Sequence, residues 1–263
     1  MRLFFPSLIS AIILITVTAS AGTNDVRPSL EDLASRAEST AQKMDSFSAA
    51  YSLSLFSTEQ KFASEGEMYY LAPLHFKVTA KTVFGQMNFN QSTIYDGDFI
   101  WQLTETPAGK KATETPMGKQ VFKIRTNRQS MLSRMQRRFE MNDMLEPCRL
   151  QRLFIFLSQQ YDLAYKGKVK EGDDEGYAFS GRLKNIPPER QTVSGIPLPL
   201  MTSIRIVVRQ SDALPLKLEA FDANDILILD YAVKRFSANI GLKEDFFLYK
   251  PSSDAKVIEI NGK

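Results

Sequence analysis

Few side chains in this sequence are equipped for chemistry, and they stand far apart. The single histidine, His75, lies between Leu74 and Phe76 in a strand-like run. To act as a base or a metal ligand it would need a second histidine or a Cys/His cluster at ligand spacing. The chain has neither, so His75 reads as an ordinary strand residue. The single cysteine, Cys148, sits between Pro147 and Arg149. It can form no internal disulfide and reads as an incidental buried thiol. "GDDEG", 172–176, is acidic but lacks the spacing of a calcium loop, and reads as a solvated hairpin tip. There is no phosphate-binding glycine loop and no GxSxG elbow. Paired carboxylates remain a formal route to acid–base chemistry, yet no particular pair is marked. These readings point away from an enzyme, from a metal site and from any cofactor.

What the chain offers instead is apolar surface in alternation. "STIYDGDFIWQLTE", 92–105, reads as two short strands around Asp96-Gly97, a turn that favours positive φ. Phe99, Trp101 and Leu103 share one side of the second strand. They either fill a core or touch something bound. "FSAAYSLSLF" sets Phe47, Ala49, Tyr51, Leu53 and Leu55 on one side, with mostly serines between. "KFASEGEMYYL", "HFKVTA" and "KQVFKIR" continue the strand pattern. After a break come "YDLAYKGKVKEGDDEGYAFSGRL", read as two or three strands turning at Gly167 and at Gly172-Asp173-Asp174, then "TSIRIVVRQ", "PLKLEAFD" and "DILILDYAVKRF". The last two are joined by a turn at Asp222-Ala223-Asn224-Asp225. Short strands at close intervals imply antiparallel hairpins or a meander.

Three helical segments interrupt them. Ser29-Leu30-Glu31-Asp32 is a capping-box pattern. Leu30, Leu33, Ala34, Ala37, Ala41 and Met44 then follow at helical spacing, predicting a helix over 29–46. Asn127 to Leu145 reads as a basic helix with Met131, Leu132, Met135, Phe139 and Met144 as its stripe. Arg128, Arg134, Arg137 and Arg138 make its polar face either a solvated surface or one that meets anionic headgroups or an acidic protein patch. "RLQRLFIFL", 149–157, reads as an apolar helix, although its length also permits a strand. A proline-bearing loop occupies 185–200. The expected fold class is α+β: a curved antiparallel sheet of about ten or eleven strands, an unclosed β-barrel, with helices over its hydrophobic concave side.

The N-terminus reads as a cleavable signal peptide, 1–21. Met1-Arg2 is followed by an apolar run to Val17 and by Ala19-Ser20-Ala21. Residues 22–263 then form a single domain with a helical insertion at about 127–157. No later run approaches the ~20 apolar residues of a membrane span. The formal charge of +3 is too mild to imply nucleic acid as a partner.

Several segments resemble the LolA-like family of periplasmic lipoprotein carriers. "EGEMYYLAPLHFKVTA" is similar to the family's apolar strand, proline and aromatic-bearing strand. "TIYDGDFIWQL" resembles its following hairpin through Asp96, Gly97 and Trp101, with Leu103 replacing the usual tyrosine. "LEAFDANDILILDYAVKRFSANIGLKEDFFLYKPSSDAKVIEI" resembles its C-terminal end, through Phe247 and Pro251. The chain departs from the pattern at Ala72, where the best-studied carriers have an arginine that ties barrel to lid. The basic helix and the loop 185–200 are additional material.

The resemblance implies a monomeric periplasmic carrier or chaperone that binds acylated lipoproteins or lipids in a hydrophobic cavity. It implies an inner-membrane ABC release complex as donor, an outer-membrane receptor as acceptor, and transient membrane contact. Related folds serve as envelope-stress sensors, so the alternative is a lipid- or lipoprotein-sensing regulatory module. Tyr69, Phe76, Val78, Phe99, Trp101 and Leu103 are the candidate lining from strands. Phe154, Phe156 and Leu157 are the candidates from the covering segment. Each buried CH₂ contributes about 0.8 kcal/mol, so a sixteen-carbon chain leaves water with roughly 12 kcal/mol of driving force.

Overall fold

The structure is a computed structural model that describes residues 27–56, 61–105, 120–126, 150, 152–184, 192–193, 196–197, 199–253 and 255–261. The expected signal peptide, the basic helix 127–145, Cys148 and most of the loop 185–200 lie outside the described residues.

Helix α1, Leu30–Lys43, begins where the capping pattern placed it. The Ser29 hydroxyl accepts the backbone N–H of Asp32 at 3.0 Å, satisfying one orphan donor of the first turn. It ends before residue 46 because Met44 is already extended, at φ −93° and ψ 102°. The chain then runs through β1 (Ser46–Phe56), β2 (Lys61–Leu71), β3 (His75–Phe84), β4 (Met87–Tyr95), β5 (Phe99–Glu105) and β6 (Gln120–Arg125). Helix α2 spans Leu153–Gln160. It settles the ambiguity of 149–157 in favour of helix, shifted toward the C-terminus. Eight residues are too few to be helical alone. Leu153, Phe154 and Leu157 are fully buried, so tertiary packing makes this helix.

Strands β7 (Tyr161–Glu171) and β8 (Asp174–Leu183) form the next hairpin. Gly167 is not a turn. It is a bulge inside β7, where the register shifts between Tyr165 and Gly167 and glycine takes φ +124°. The extra residue bends the strand without ending it. A minimal ladder, β9 (Thr192–Val193) with β10 (Ile196–Pro197), precedes β11 (Ser203–Arg209), β12 (Pro215–Phe221) and β13 (Leu227–Ala238). A 3-10 turn, Glu244–Phe247, and β14 (Lys256–Asn261) complete the chain.

Among the described residues one curved sheet holds twelve strands in the order β14-β6-β5-β4-β3-β2-β1-β13-β12-β11-β8-β7. It is not closed: β14 and β7 are its ends. Two meanders meet at a long antiparallel seam between β1 and β13. Every neighbouring pair is antiparallel except β14 with β6. The fold is the expected unclosed half-barrel with helices, with the C-terminal strand as an added edge.

Side chains alternate across a strand, so the sheet has two faces. Tyr70, Phe76 and Tyr95 stand opposite one another in register on the face that α1 and α2 cover. Tyr69, Lys77, Ile94 and Trp101 stand in register on the other, outer face. At Gly66 strands β2 and β3 come unusually close. A Cβ there would sit 1.9 Å from the Thr79 carbonyl oxygen and 2.8 Å from the Ala80 Cα. Both obstacles are backbone and cannot rotate away. Gly66→Ala is therefore expected to destabilise the protein by about 3 kcal/mol, as overpacking against fixed atoms does. A urea titration of the variant would show the midpoint falling accordingly.

Candidate functional site: the helix-covered face

The helix-covered face is apolar over most of its extent. Leu53 and Leu55 of β1, Met68 of β2, Ile204 and Ile206 of β11, Leu218 of β12 and Leu229 of β13 are all buried on it. From above, α1 adds Leu33 and Ala37, and α2 adds Leu153, Phe154 and Leu157. The predicted residues Phe76, Phe154 and Leu157 are buried here, and Val78 and Phe156 are partly buried against the same cluster. Phe154 packs on Phe179 of β8 with ring centroids 6.1 Å apart.

The cover rests on the sheet through Leu33, Ala37, Leu153, Phe154 and Leu157, with only light polar ties. The Arg36 guanidinium donates to the Gln210 carbonyl at 3.0 Å, and the Thr40 hydroxyl to the Asp212 carbonyl at 3.5 Å. Glu38 approaches Arg152, beside α2, at 4.0 Å, both side chains being about half exposed. A solvent-exposed pair of this kind contributes under about 1 kcal/mol. Ala72 lies against the same cluster. As alanine it can offer the cover no polar side-chain tie.

The outer face has a different lid. Tyr69, Phe99, Trp101 and Leu103 belong to a second cluster, with Ile94, Val121, Phe247, Leu242 and Tyr249. Strand parity therefore separates them from the helix-covered residues by the thickness of the sheet. The predicted lining does not form one wall. The chain's own C-terminal segment packs on this outer row: Phe247 is fully buried, and the Tyr249 ring lies tilted against Trp101 with centroids 5.2 Å apart. Lys123 lies over the Phe99 ring at 4.3 Å.

The hairpin's conformation follows from one carboxylate. Asp96 accepts the backbone N–H groups of Asp98 and Phe99 at 3.0 and 2.8 Å, and its second oxygen accepts the Trp101 indole N–H at 2.7 Å. Gly97 takes φ +107° in the turn. The Asp-Gly-x-x-x-Trp spacing is thus a structural device, which orders the turn and fixes the indole together. His75 also packs structurally. Its ring lies 5.7 Å from that of Phe247, and its Nδ1 is buried without a hydrogen-bond partner.

Sequence reasoning passed over a polar feature on the helix-covered face. Tyr51, Ser64, Thr82 and Tyr231 are all buried there. The available signal was a small polar residue in an apolar phase: Ser64 alternates with Phe62 and Met68. Burial pushes the Tyr231 hydroxyl far above its ordinary range, and Tyr51 upward as well. Burial also pushes Tyr161, which donates to the Met201 carbonyl at 3.1 Å, up to about 12.

A polar groove of about 460 Å³ opens on the outer face beside β7, lined by Asp162, Ser180, Arg182, Ser203, Arg205 and Phe221 among others. Arg205 spreads over the Phe221 ring at 4.8 Å. Among the described residues no group of three or more His, Cys, Asp or Glu is placed to hold a metal. No helix of the described residues is long and apolar enough to cross a membrane.

No family model matches the chain, and no curated sequence does. Solved structures resemble its fold. An uncharacterized conserved protein from Thermus thermophilus aligns with a TM-score of 0.47 at 13% identity, covering 89% of this chain and 100% of that one. The MucA/MucB complex of Pseudomonas aeruginosa aligns at 0.45 with 11% identity, covering 84% of this chain and 61% of that one. A LolA superfamily protein from Nitrosomonas europaea aligns at 0.30 with 8% identity, covering 85% of this chain and 99% of that one. These likenesses concern the course of the chain, and the site is read from its side chains.

The buried tyrosines set an alkaline limit. An unfolded tyrosine loses its proton near pH 10, whereas folded Tyr161 holds it to about 12. Between those values the unfolded state binds fewer protons, so stability falls as pH rises. The urea midpoint is expected to stay level to about pH 9.5 and then drop. The Tyr161 contribution to that loss is about 1 kcal/mol by pH 11. Tyr161→Phe should make the slope above pH 10 shallower, whatever it does to the starting midpoint.

Proposed function

We propose that this chain is a non-catalytic periplasmic carrier, which shelters the acyl chains of lipoproteins or lipids and passes them toward the outer membrane. The observation that carries the reading is the helix-covered face: a largely apolar surface on an unclosed sheet, under two helices seated by apolar side chains with only light polar ties. A face of that kind can exchange its cover for hydrocarbon without chemistry. The exchange replaces one set of apolar contacts by another, so the net gain is well below the full transfer energy of a chain from water. That moderation suits a carrier, which must also release. Release then needs an acceptor that binds the guest better. The resemblance supplies an outer-membrane receptor for that role and an inner-membrane ABC complex as donor.

Of the residues expected in the lining, Phe76, Val78, Phe154, Phe156 and Leu157 serve this reading. Tyr69, Phe99, Trp101 and Leu103 hold the C-terminal segment to the outer face. The second reading, a lipid- or lipoprotein-sensing regulatory module, is favoured by the outer groove and by β7. That strand ends the sheet, and an edge strand can pair with a partner's extended segment.

Purification from the native periplasm followed by lipid mass spectrometry tests the carrier. The expected result is stoichiometric acyl lipid or lipoprotein, with lipoproteins mislocalised on depletion. Lipid-free protein together with normal sorting on depletion would contradict it. Recovery of one membrane regulator and no lipid would favour the second reading.

A further inference from the structure

A row of hydroxyls crosses the helix-covered face. Tyr231 on β13, Tyr51 on β1, Ser64 on β2 and Thr82 on β3 are 0%, 2%, 4% and 1% exposed. Gln91 on β4 ends the row at an exposed position. These strands are consecutive in the sheet, so the row runs from the buried centre toward solvent.

Its internal bonds are long. Tyr51 and Ser64 hydroxyls stand 3.5 Å apart, and the Thr82 hydroxyl is 3.4 Å from both the Ser64 hydroxyl and the Gln91 side-chain oxygen. Well-formed hydroxyl bonds close to about 2.7–2.8 Å. Each hydroxyl has one hydrogen to give, so Tyr51, Ser64 and Thr82 can pass donation along the row to Gln91, but only at the long range of 3.4 to 3.5 Å. At the inner end the Tyr231 hydroxyl has no hydrogen-bond partner, although its ring centroid is 6.4 Å from that of Tyr51. Other tyrosines of this fold are satisfied at shorter range: Tyr95 by the Gly97 carbonyl at 2.7 Å, and Tyr70 by the Pro73 carbonyl at 2.9 Å. A buried hydroxyl left unpaired opposes folding, and phenylalanine would fill the same volume without that penalty.

We propose that this row is a subsite for the carbonyl oxygens of an ester- or amide-linked acyl guest. The inference deepens the carrier reading and rests on it. Its chemistry selects the ligand. None of the row's residues is charged, so a phosphate or an ammonium placed there would be desolvated without a counter-charge. Tyr231 is paired across the sheet with Leu53 and Leu218, both buried and apolar, and its hydroxyl is itself buried. A neutral acceptor flanked by hydrocarbon is what an acyl linkage presents. The unpaired Tyr231 hydroxyl donates to it, and Tyr51, Ser64 and Thr82 can shorten their bonds onto a second carbonyl.

The test compares two phosphatidylglycerols with identical sixteen-carbon chains, one joined by ester links and one by ether links, which lack the carbonyl oxygens. Both are delivered from cyclodextrin to the mature protein, and the bound fractions are read by native mass spectrometry. Wild type is expected to prefer the diester about five- to tenfold, the equivalent of one net hydrogen bond. Tyr231→Phe should bring that ratio toward one and should melt at or above the wild-type temperature. A Ser64→Ala, Thr82→Val double variant should also lower the ratio; if it does not fold, Tyr231→Phe decides. Equal binding by wild type, or a preference that Tyr231→Phe leaves intact, would overturn the subsite while leaving the carrier standing. That result would mean the row is structural or filled by water. Binding of neither lipid would overturn the carrier reading, and the subsite with it.

Discussion

A twelve-stranded sheet that does not close has two faces to keep from water, and the chain must supply both covers. Alternation of side chains makes this unavoidable, because every strand that puts apolar groups on one face leaves its intervening positions on the other. The helix-covered face takes most of the core. The outer face near β5 and β6 is also apolar, and the C-terminal segment closes it. The helices meet this demand on one face, and the segment around Phe247 and Tyr249 meets it on the other.

The two covers are built differently, and the difference bears on function. On the outer face the contacts interlock. Asp96 holds the Trp101 indole, Trp101 packs against Tyr249, Phe247 is fully buried, and β14 is fixed in register along β6. The helix cover has α1 seated on Leu33 and Ala37, with an eight-residue α2 beside it. In the proposed carrier the first arrangement is structural, and the second is the one that exchanges with a guest. The hydroxyl row stands on the same face of the sheet as the second.

Much of this was legible in the sequence because it depends on local chemistry. The Ser29 cap, the Asp96-Gly97 turn and the turn after Asp222 were readable, since a short side chain satisfies a backbone N–H within a few residues. At the last of these the Asp222 carboxylate accepts the backbone N–H groups of Asn224 and Ile226. Gly167 misled for the same kind of reason: a glycine with positive φ serves a turn or a bulge, and only the partner strand decides which. The candidate lining was legible as a set of apolar alternations but not as one site. Alternation tells which residues share a face of their own strand. It does not tell which face that is relative to other strands, and β5 carries Trp101 on the opposite side from Phe76 of β3. The buried hydroxyls were hidden because serine and threonine are ordinary on exposed strand faces, and only pairing shows that Ser64 and Thr82 face inward together.

The most direct measurement of the central claim is where a bound acyl chain touches the protein. A phospholipid carrying a diazirine at the end of one acyl chain, bound and then photolysed, leaves a covalent mark that peptide mass spectrometry can locate. The account predicts adducts on the helix-covered face, on residues such as Leu53, Leu218, Phe154 and Phe179. Adducts confined to Trp101, Phe247 and Tyr249 on the outer face, or no adducts at saturating lipid, would contradict it.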